Sequence, residues 1–185
     1  LPSYFYIPAE LYYNFGPLLA KEIIKNGKME ALNTALYGYV NNGLNTLPTS
    51  EQIYDPDKFF INERYDELVI ETIEVDNFTL IDEGSVGALD LVYLMQDKIG
   101  QKNAVNAAIG IGGGVWKDYV NDAGELLMTL KLSGDDSTEL QEIYDSFILW
   151  AEAQSRFDGV DSLVGGNLFT GKTNFWISKD QNSIR

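Results

Sequence analysis

The alternation of apolar and polar side chains predicts a β-hairpin followed by a long helix between residues 110 and 151. Leu126, Met128, Leu130 and Leu132 occupy every second position, as in a strand with one buried face. The connection at residues 121–124 contains turn-forming residues and a glycine, and so closes a hairpin with the preceding strand. The helix that follows has Asp135, Asp136 and Ser137 as its N-cap region and an apolar stripe of Leu140, Ile143, Tyr144, Phe147, Ile148 and Ala151. We expect this hairpin and helix to form the core.

Two helices are predicted in the N-terminal third of the chain. The first follows Pro17 and stops at Asn26-Gly27, because asparagine and glycine are common where a helix ends. The second runs from Lys28 to about Val40. Together they indicate a helical hairpin.

The connector at residues 47–60 is predicted to contain short capped helices. Thr49 or Ser50 is the expected cap, and Pro56 starts a second turn. The acidic residues Glu51, Asp55 and Asp57 also allow a calcium-loop interpretation. The glycine and terminal glutamate of an EF-hand are missing, so capping is favoured.

Further elements complete an α+β fold. We predict a strand at residues 68–75, a helix at 84–99, a loop at 157–166 and a second hairpin within 167–178. We also expect Trp116 and Trp150 to be buried, Trp176 to be buried on one side, and the glycines at 110–114 to form a backbone turn. A phosphate loop is disfavoured because no GKS or GKT sequence follows. The predicted fold class is α+β, with an N-terminal helical hairpin followed by antiparallel strands with packed helices. Its parts are a helical segment at residues 1–62 and an α+β domain at 63–185, forming one compact unit.

Composition excludes several functions. Thirteen basic and 28 acidic residues give a net charge of −15, which disfavours binding to nucleic acid. The chain lacks histidine and cysteine, so zinc fingers, thiolate catalysis and a Ser-His-Asp triad are excluded. We expect no catalytic residue, no cofactor, no metal site and no membrane span. The absence of cysteine is consistent with an extracytoplasmic protein.

The first fifteen residues are rich in aromatic side chains. Packed against the rest of the chain they would be ordinary core; exposed, they would form a contact surface. We adopt the contact surface as the working hypothesis, because six aromatic side chains offer more apolar area than a short terminal segment needs for its own anchoring. The predicted partner-binding residues are Tyr4, Phe5, Tyr6, Tyr12, Tyr13 and Phe15. The expected partner is an upstream domain or another protein.

Five blocks of sequence stand out as motifs. Three lie in the first third of the chain, namely Phe15-Gly16, GKMEALN at residues 27–33 and PTSEQIYDPDKF at 48–59, and two lie later, GIGGGVW at 110–116 and SGDDS at 133–137. Together they resemble the C-terminal half of a family of extracytoplasmic proteins whose N-terminal half carries an HExxH zinc-peptidase-like motif, the two later blocks more loosely than the first three. The family's usual histidine in the third block is Asp55 here, and the HExxH segment would precede Leu1. No catalytic or zinc-binding residue is therefore carried over.

The resemblance implies a non-catalytic module that is associated with, or left over from, a metallopeptidase-like protein and has a packing or partner-binding role. An alternative is a stand-alone extracytoplasmic binding or structural subunit that docks a protein through its aromatic N-terminus. A third interpretation is an acid/base enzyme that uses Asp82 and Glu83, but adjacent carboxylates in a connector more often form a solvated cap.

Overall fold

The chain has an α+β fold. A computed structural model describes residues 16–42, 49–72, 77–153, 157–163, 166–171 and 175–185. The helices within these residues are α1 (Gly16–Asn42), α2 (Glu51–Tyr54), α3 (Pro56–Phe60), α4 (Ala88–Ile99), α5 (Gln101–Ala108) and α6 (Ser137–Glu152). The strands are β1 (Phe78–Ser85), β2 (Ile111–Asn121), β3 (Leu126–Gly134), β4 (Phe157–Leu163), β5 (Gly166–Gly171) and β6 (Phe175–Ser178).

The first sheet is antiparallel, with strand order β1-β2-β3. The predicted hairpin is confirmed as β2 and β3. Its turn is closed by the Gly124 N–H, which donates to the Asn121 carbonyl oxygen at 2.9 Å. Gly124 has a φ of +77°, a backbone conformation that glycine adopts readily.

The core lies between one face of this sheet and helices α4, α5 and α6. The predicted stripe of α6 is confirmed, because Leu140, Ile143, Phe147 and Ala151 are buried and Tyr144 and Ile148 pack against the same core. Asp136 caps the helix, as its Oδ1 accepts hydrogen bonds from the backbone N–H groups of Thr138 and Glu139. The core also contains Leu91, Val92, Met95, Ala104, Ala107, Ala108, Ile111 and Leu132.

Only part of this sheet face is covered. Cross-strand partners share a face, so the covered part, the proximal half, consists of the rows Gly84–Trp116–Leu130 and Gly114–Leu132. The distal half consists of the rows Asp82–Asp118–Met128 and Thr79–Val120–Leu126. Leu132 is fully buried, whereas the exposed fractions of Met128 and Leu126 are 62% and 76%. The predicted alternation in β3 therefore identifies the correct face, but the prediction of a buried face holds for its proximal half alone.

Residues 63–72 lie across the opposite face of the sheet without regular secondary structure. The Asp66 N–H donates to the Gly112 carbonyl oxygen at 2.6 Å, and the Lys131 ammonium donates to the Val69 carbonyl oxygen at 3.2 Å. A Cβ on Gly113 would clash with the Asp66 carbonyl oxygen, so this close approach requires the glycine. The backbone turn predicted at residues 110–114 is therefore wrong for Gly112–Gly114, which lie within strand β2 and whose small size serves close packing instead.

The strand predicted at residues 68–75 is wrong for residues 68–72, and residues 73–75 lie outside the described residues. Leu68 and Ile70 are half-buried and Val69 is 77% exposed, so the alternation reflects an extended segment packed on a sheet face. The strand is instead β1, ten residues further on. The helix predicted from Gly84 begins at Ala88, because Gly84 and Ser85 pair with β2.

The second sheet is antiparallel, with strand order β4-β5-β6. The predicted second hairpin is confirmed as β5 and β6, but the loop predicted at residues 157–166 contains the strand β4. Trp176, predicted to be buried on one side, is 44% exposed, whereas the next residue, Ile177, is 6% exposed and faces the core. Ile184 joins the two sheets through backbone hydrogen bonds of 3.0 and 2.9 Å with Leu132.

The N-terminal helices contact the core through the short helices α2 and α3. Helix α1 is interrupted at Lys28, where φ is +59° and ψ is −164°, next to the break predicted at Asn26-Gly27. Ser50 links this region to α4, because its Oγ accepts a hydrogen bond from the Leu89 N–H at 3.2 Å.

Among the described helices, none has the length and apolar character needed to cross a bilayer.

We predict that Trp150→Ala lowers the free energy of unfolding by about 3–5 kcal/mol, the range for emptying a large aromatic site. Trp150 is 9% exposed, and its indole N–H donates to the Leu94 carbonyl oxygen at 2.9 Å. Leu149→Ala is the matched control, because the neighbouring Leu149 is 51% exposed. Urea denaturation of the three proteins checks this, and equal midpoints for parent and Trp150→Ala would show that the Trp150 contacts contribute little.

Candidate functional site: the Lys58 cluster and the exposed face of helix α1

The most concentrated group of charged side chains surrounds Lys58. Its ammonium lies 2.8 Å from Glu51 Oε1 and 3.1 Å from Glu63 Oε2, and it also forms an ion pair with Asp135 Oδ2. Glu51 begins α2, Lys58 lies on α3, Glu63 follows α3, and Asp135 lies between β3 and α6. The Lys58 cluster, as we call these four residues, therefore connects the N-terminal helices to the hairpin-helix core.

Local hydrogen bonds fix the segments that carry the cluster. The Thr49 hydroxyl accepts from the Gln52 N–H at 3.4 Å and the Gln52 side chain accepts from the Thr49 N–H at 3.2 Å, the reciprocal pattern of a capping box. Asp55 caps α3 by accepting from the Asp57 N–H at 3.2 Å. The prediction that this connector consists of capped short helices is thereby confirmed. The Asp135 N–H donates to the Gly110 carbonyl oxygen at 3.0 Å, and this hydrogen bond holds the backbone of Asp135 in place.

The cluster is largely removed from solvent and contains three carboxylates for one ammonium. The exposed fractions of the Lys58 and Glu51 side chains are 12% and 7%. Burial raises the pKa of Glu51 to about 8, with a further contribution from the negative charges of Asp135 and Glu63, although the hydrogen bond from Lys58 opposes it. Burial alone would lower the pKa of Lys58, but its hydrogen bonds to Asp135, Glu51 and Glu63 raise it overall. Glu51 therefore holds a proton at pH values where an exposed glutamate is ionised.

The arrangement of the oxygens alone would suit a hard cation. One carboxylate oxygen each from Glu51, Glu63 and Asp135 lies within 4.8 Å of the others. However, the Lys58 ammonium lies among them and supplies the positive charge. Glu51 is 5% exposed, which leaves little room for a substrate to contact its carboxyl group. The geometry is that of an internal ion-pair network.

The sequence singled out Glu51, but as a capping or calcium-loop residue, and it did not point to Lys58. One signal was present: Lys58 is the only basic residue between positions 29 and 63. A lone lysine within an acidic, aromatic segment indicates an internal counter-ion. Its partner Asp135 is 77 residues away, a separation that no local pattern reveals.

The structure separates the two carboxylates of the acid/base interpretation. Asp82 and Glu83 are consecutive in β1 and so point to opposite faces of the sheet. Glu83 forms an ion pair with Lys117 at 3.2 Å, whereas Asp82 is the cross-strand partner of Asp118. The predicted partner-binding residues Tyr4, Phe5, Tyr6, Tyr12, Tyr13 and Phe15 lie outside the described residues.

Helix α1, which directly follows those aromatic residues, exposes much of its apolar surface. In the part of α1 whose side chains the structure describes, only Leu19 and Ile23 are buried. Five large apolar side chains are exposed on the same helix, namely Leu18 (51%), Ile24 (37%), Met29 (55%), Leu36 (55%) and Tyr37 (68%). A shallow groove of about 430 Å³ lies between residues 27–35 of α1 and the rings of Phe59 and Phe60 on α3. We call these five side chains and the groove the α1 surface.

Comparisons with protein-family models, with curated proteins and with solved structures found no match. Residues 48–59 and 133–137 meet in space. Glu51 and Lys58 belong to the block at residues 48–59, and Asp135 belongs to the block at 133–137. In this chain both blocks therefore serve the contact between the N-terminal helices and the core.

We predict that the stability of the chain falls as the pH rises from about 5 to 8. Because the pKa of Glu51 is about 8 in the folded chain and 4.5 in a model peptide, the folded state binds a proton that the unfolded state has released in this window. Glu51→Gln mimics the protonated acid. Between pH 5 and 8 its free energy of unfolding should therefore decrease less than that of the parent, by on the order of 1 to 3 kcal/mol. The free energy of unfolding in urea at pH 5, 6.5 and 8 measures the effect.

Glu142→Gln on the exposed side of α6 is the control for this experiment. It removes the same charge without touching the Lys58 cluster, and its pH profile should follow that of the parent. Parallel profiles for the parent and Glu51→Gln would contradict the elevated pKa.

Proposed function

We propose that this chain is a non-catalytic protein-interaction module that packs against a protein partner through its N-terminal third. The observation that carries the proposal is the α1 surface, where Leu36 and Tyr37 are 55% and 68% exposed on a helix that contributes only two described side chains to the buried set. Apolar surface of this kind, when it forms a large exposed patch, is typical of protein-interaction sites.

The contrast between α1 and α6 supports this role. Helix α6 has an apolar stripe, and that stripe is buried against the sheet. On α1, Met29 and Leu36 are seven residues apart, so they lie on nearly the same side of the helix, and both are exposed. Apolar side chains that repeat along one side of a helix and face solvent are suited to a partner surface.

The Lys58 cluster has a supporting role in this proposal. It joins α3, which forms one wall of the groove, to the core through Lys58 and Asp135. A partner that binds α1 and α3 would therefore contact an anchored surface, which lowers the conformational entropy lost on binding.

Two partners fit the proposal. The sequence resemblance favours an upstream metallopeptidase-like domain in an extracytoplasmic protein, in which case this chain packs beside the catalytic part or is the remnant of such a protein. The alternative is a stand-alone extracytoplasmic subunit that docks a separate protein through its aromatic N-terminus. Both partners would use the N-terminal segment and the α1 surface.

Photo-crosslinking in the cells that produce the protein tests the proposal. We expect a benzophenone amino acid at position 36 to give one discrete adduct, because this side chain faces the partner. The same amino acid at position 142, which is exposed on α6, should give none. An adduct within one polypeptide supports the upstream domain and an adduct with a second polypeptide supports the separate subunit, whereas equal labelling from both positions would contradict a docking role for α1.

A second prediction concerns residues 1–15. We expect deletion of this segment to leave the hairpin-helix core folded, because the core has its own buried faces, and to abolish association with the partner. Circular dichroism and urea denaturation report the fold, and sedimentation velocity or the crosslinked adduct reports association. Loss of the whole fold would show that the aromatic residues are internal core.

A further inference from the structure

The distal half of the first sheet is a second surface, separate from α1. It continues the face on which α4, α5 and α6 pack, but lies beyond them. Its central row is Asp82–Asp118–Met128 and its outer row is Thr79–Val120–Leu126. Met128 is 62% exposed and Leu126 is 76% exposed. These two apolar side chains of β3 therefore face solvent, although Leu132 on the same strand is buried.

Asp82 and Asp118 give this surface a specific charge. They lie directly opposite each other on neighbouring strands, where like charges are destabilising. Among the described residues, neither aspartate forms an ion pair, and the one hydrogen bond of Asp82 is with the N–H of the adjacent Glu83 at 2.9 Å. Partial burial raises the pKa of Asp118, and the charge of Asp82 raises it further. A cation placed over the pair would relieve this repulsion.

Two occupants from the chain itself fit poorly. Residues 1–15 contain Glu10 but no lysine or arginine, so they cannot neutralise the aspartates. A second copy would bring another Asp82–Asp118 pair to the contact and a further net charge of −15. The occupant must therefore carry positive charge.

We propose that the distal half of the sheet binds an amphipathic helix of another protein, with an apolar stripe that contacts Leu126 and Met128 and a lysine or arginine that pairs with Asp82 and Asp118. The proximal half of the same face is already covered by helices, so a further helix extends an existing layer. The apolar contacts supply affinity, and the charge pair sets which helices bind.

The test uses three synthetic peptides and the complete chain. The first peptide is a helix of leucine and lysine with one apolar stripe, the second replaces every lysine by glutamate, and the third replaces every leucine by serine. We expect saturable binding of the first peptide alone, measured by calorimetry. Amide shifts in the NMR spectrum of the chain should map to β1, β2 and β3 and leave α1 unchanged.

Two pairs of variants locate the interaction. Asp82→Asn with Asp118→Asn should weaken binding about tenfold or more, because a lysine loses both of its partners. Glu142→Gln with Glu152→Gln changes the net charge equally at exposed positions of α6 and should weaken it by less than about twofold. Met128→Ser should weaken binding, whereas Leu149→Ser on α6 should not.

One further readout separates a binding role from a purely structural one. Asp118→Asn should raise the urea midpoint of the free chain, because it relieves the repulsion from Asp82, and at the same time weaken peptide binding. The proposal is overturned if no peptide binds saturably, if the two double variants weaken binding equally, or if the serine peptide binds as well as the leucine peptide.

Discussion

The packing of α4, α5 and α6 on the proximal half of the first sheet is the interaction on which the rest of the fold depends. Leu132 on β3 and Ile143 on α6 are both fully buried, and side chains of this size each contribute roughly 1.5–3 kcal/mol when they leave water. The burial stops where the helices stop, which leaves Met128 exposed on the same strand. Helix α1 depends on this core indirectly, because α2 and α3 are attached to it by the Ser50 hydrogen bond and by the ion pairs of Lys58.

The elements that could be predicted from the sequence are those that depend on residues a few positions apart. The stripe of α6 repeats at helical spacing and the turn at Gly124 requires a positive φ, so both were expected where they occur. The break in α1 was placed next to Lys28 for the same reason, since Asn26 and Gly27 disfavour a continuous helix. The caps of α2 and α3 are likewise short-range hydrogen bonds.

The features that were missed depend on which segments meet in space. The alternation in β3 identifies the face that turns to the helices, but it contains no information on how far along the strand the helices extend. The alternation around Val69 arises from contact with a sheet face, and a period of two does not distinguish that contact from pairing in a ladder. The Lys58 cluster joins residues that are 77 positions apart. Of the candidate site, the sequence analysis therefore singled out Glu51 and Asp135, but as residues of separate local motifs and not as members of one cluster.

The two groups of carboxylates in this chain differ in how their charge is compensated, and this difference indicates their roles. Around Lys58 the chain supplies its own cation, and the side chains of Lys58 and Glu51 are largely buried. At Asp82 and Asp118, described residues supply no cation, and exposed apolar side chains lie beside the charges. Carboxylates grouped around an internal ammonium connect segments of the fold, whereas two like charges without a described counter-ion, beside exposed apolar side chains, suit a complementary cationic surface. The presence or absence of an internal cation thus separates the Lys58 cluster from the distal half of the sheet, which we propose as a recognition surface, in a chain that has no histidine or cysteine.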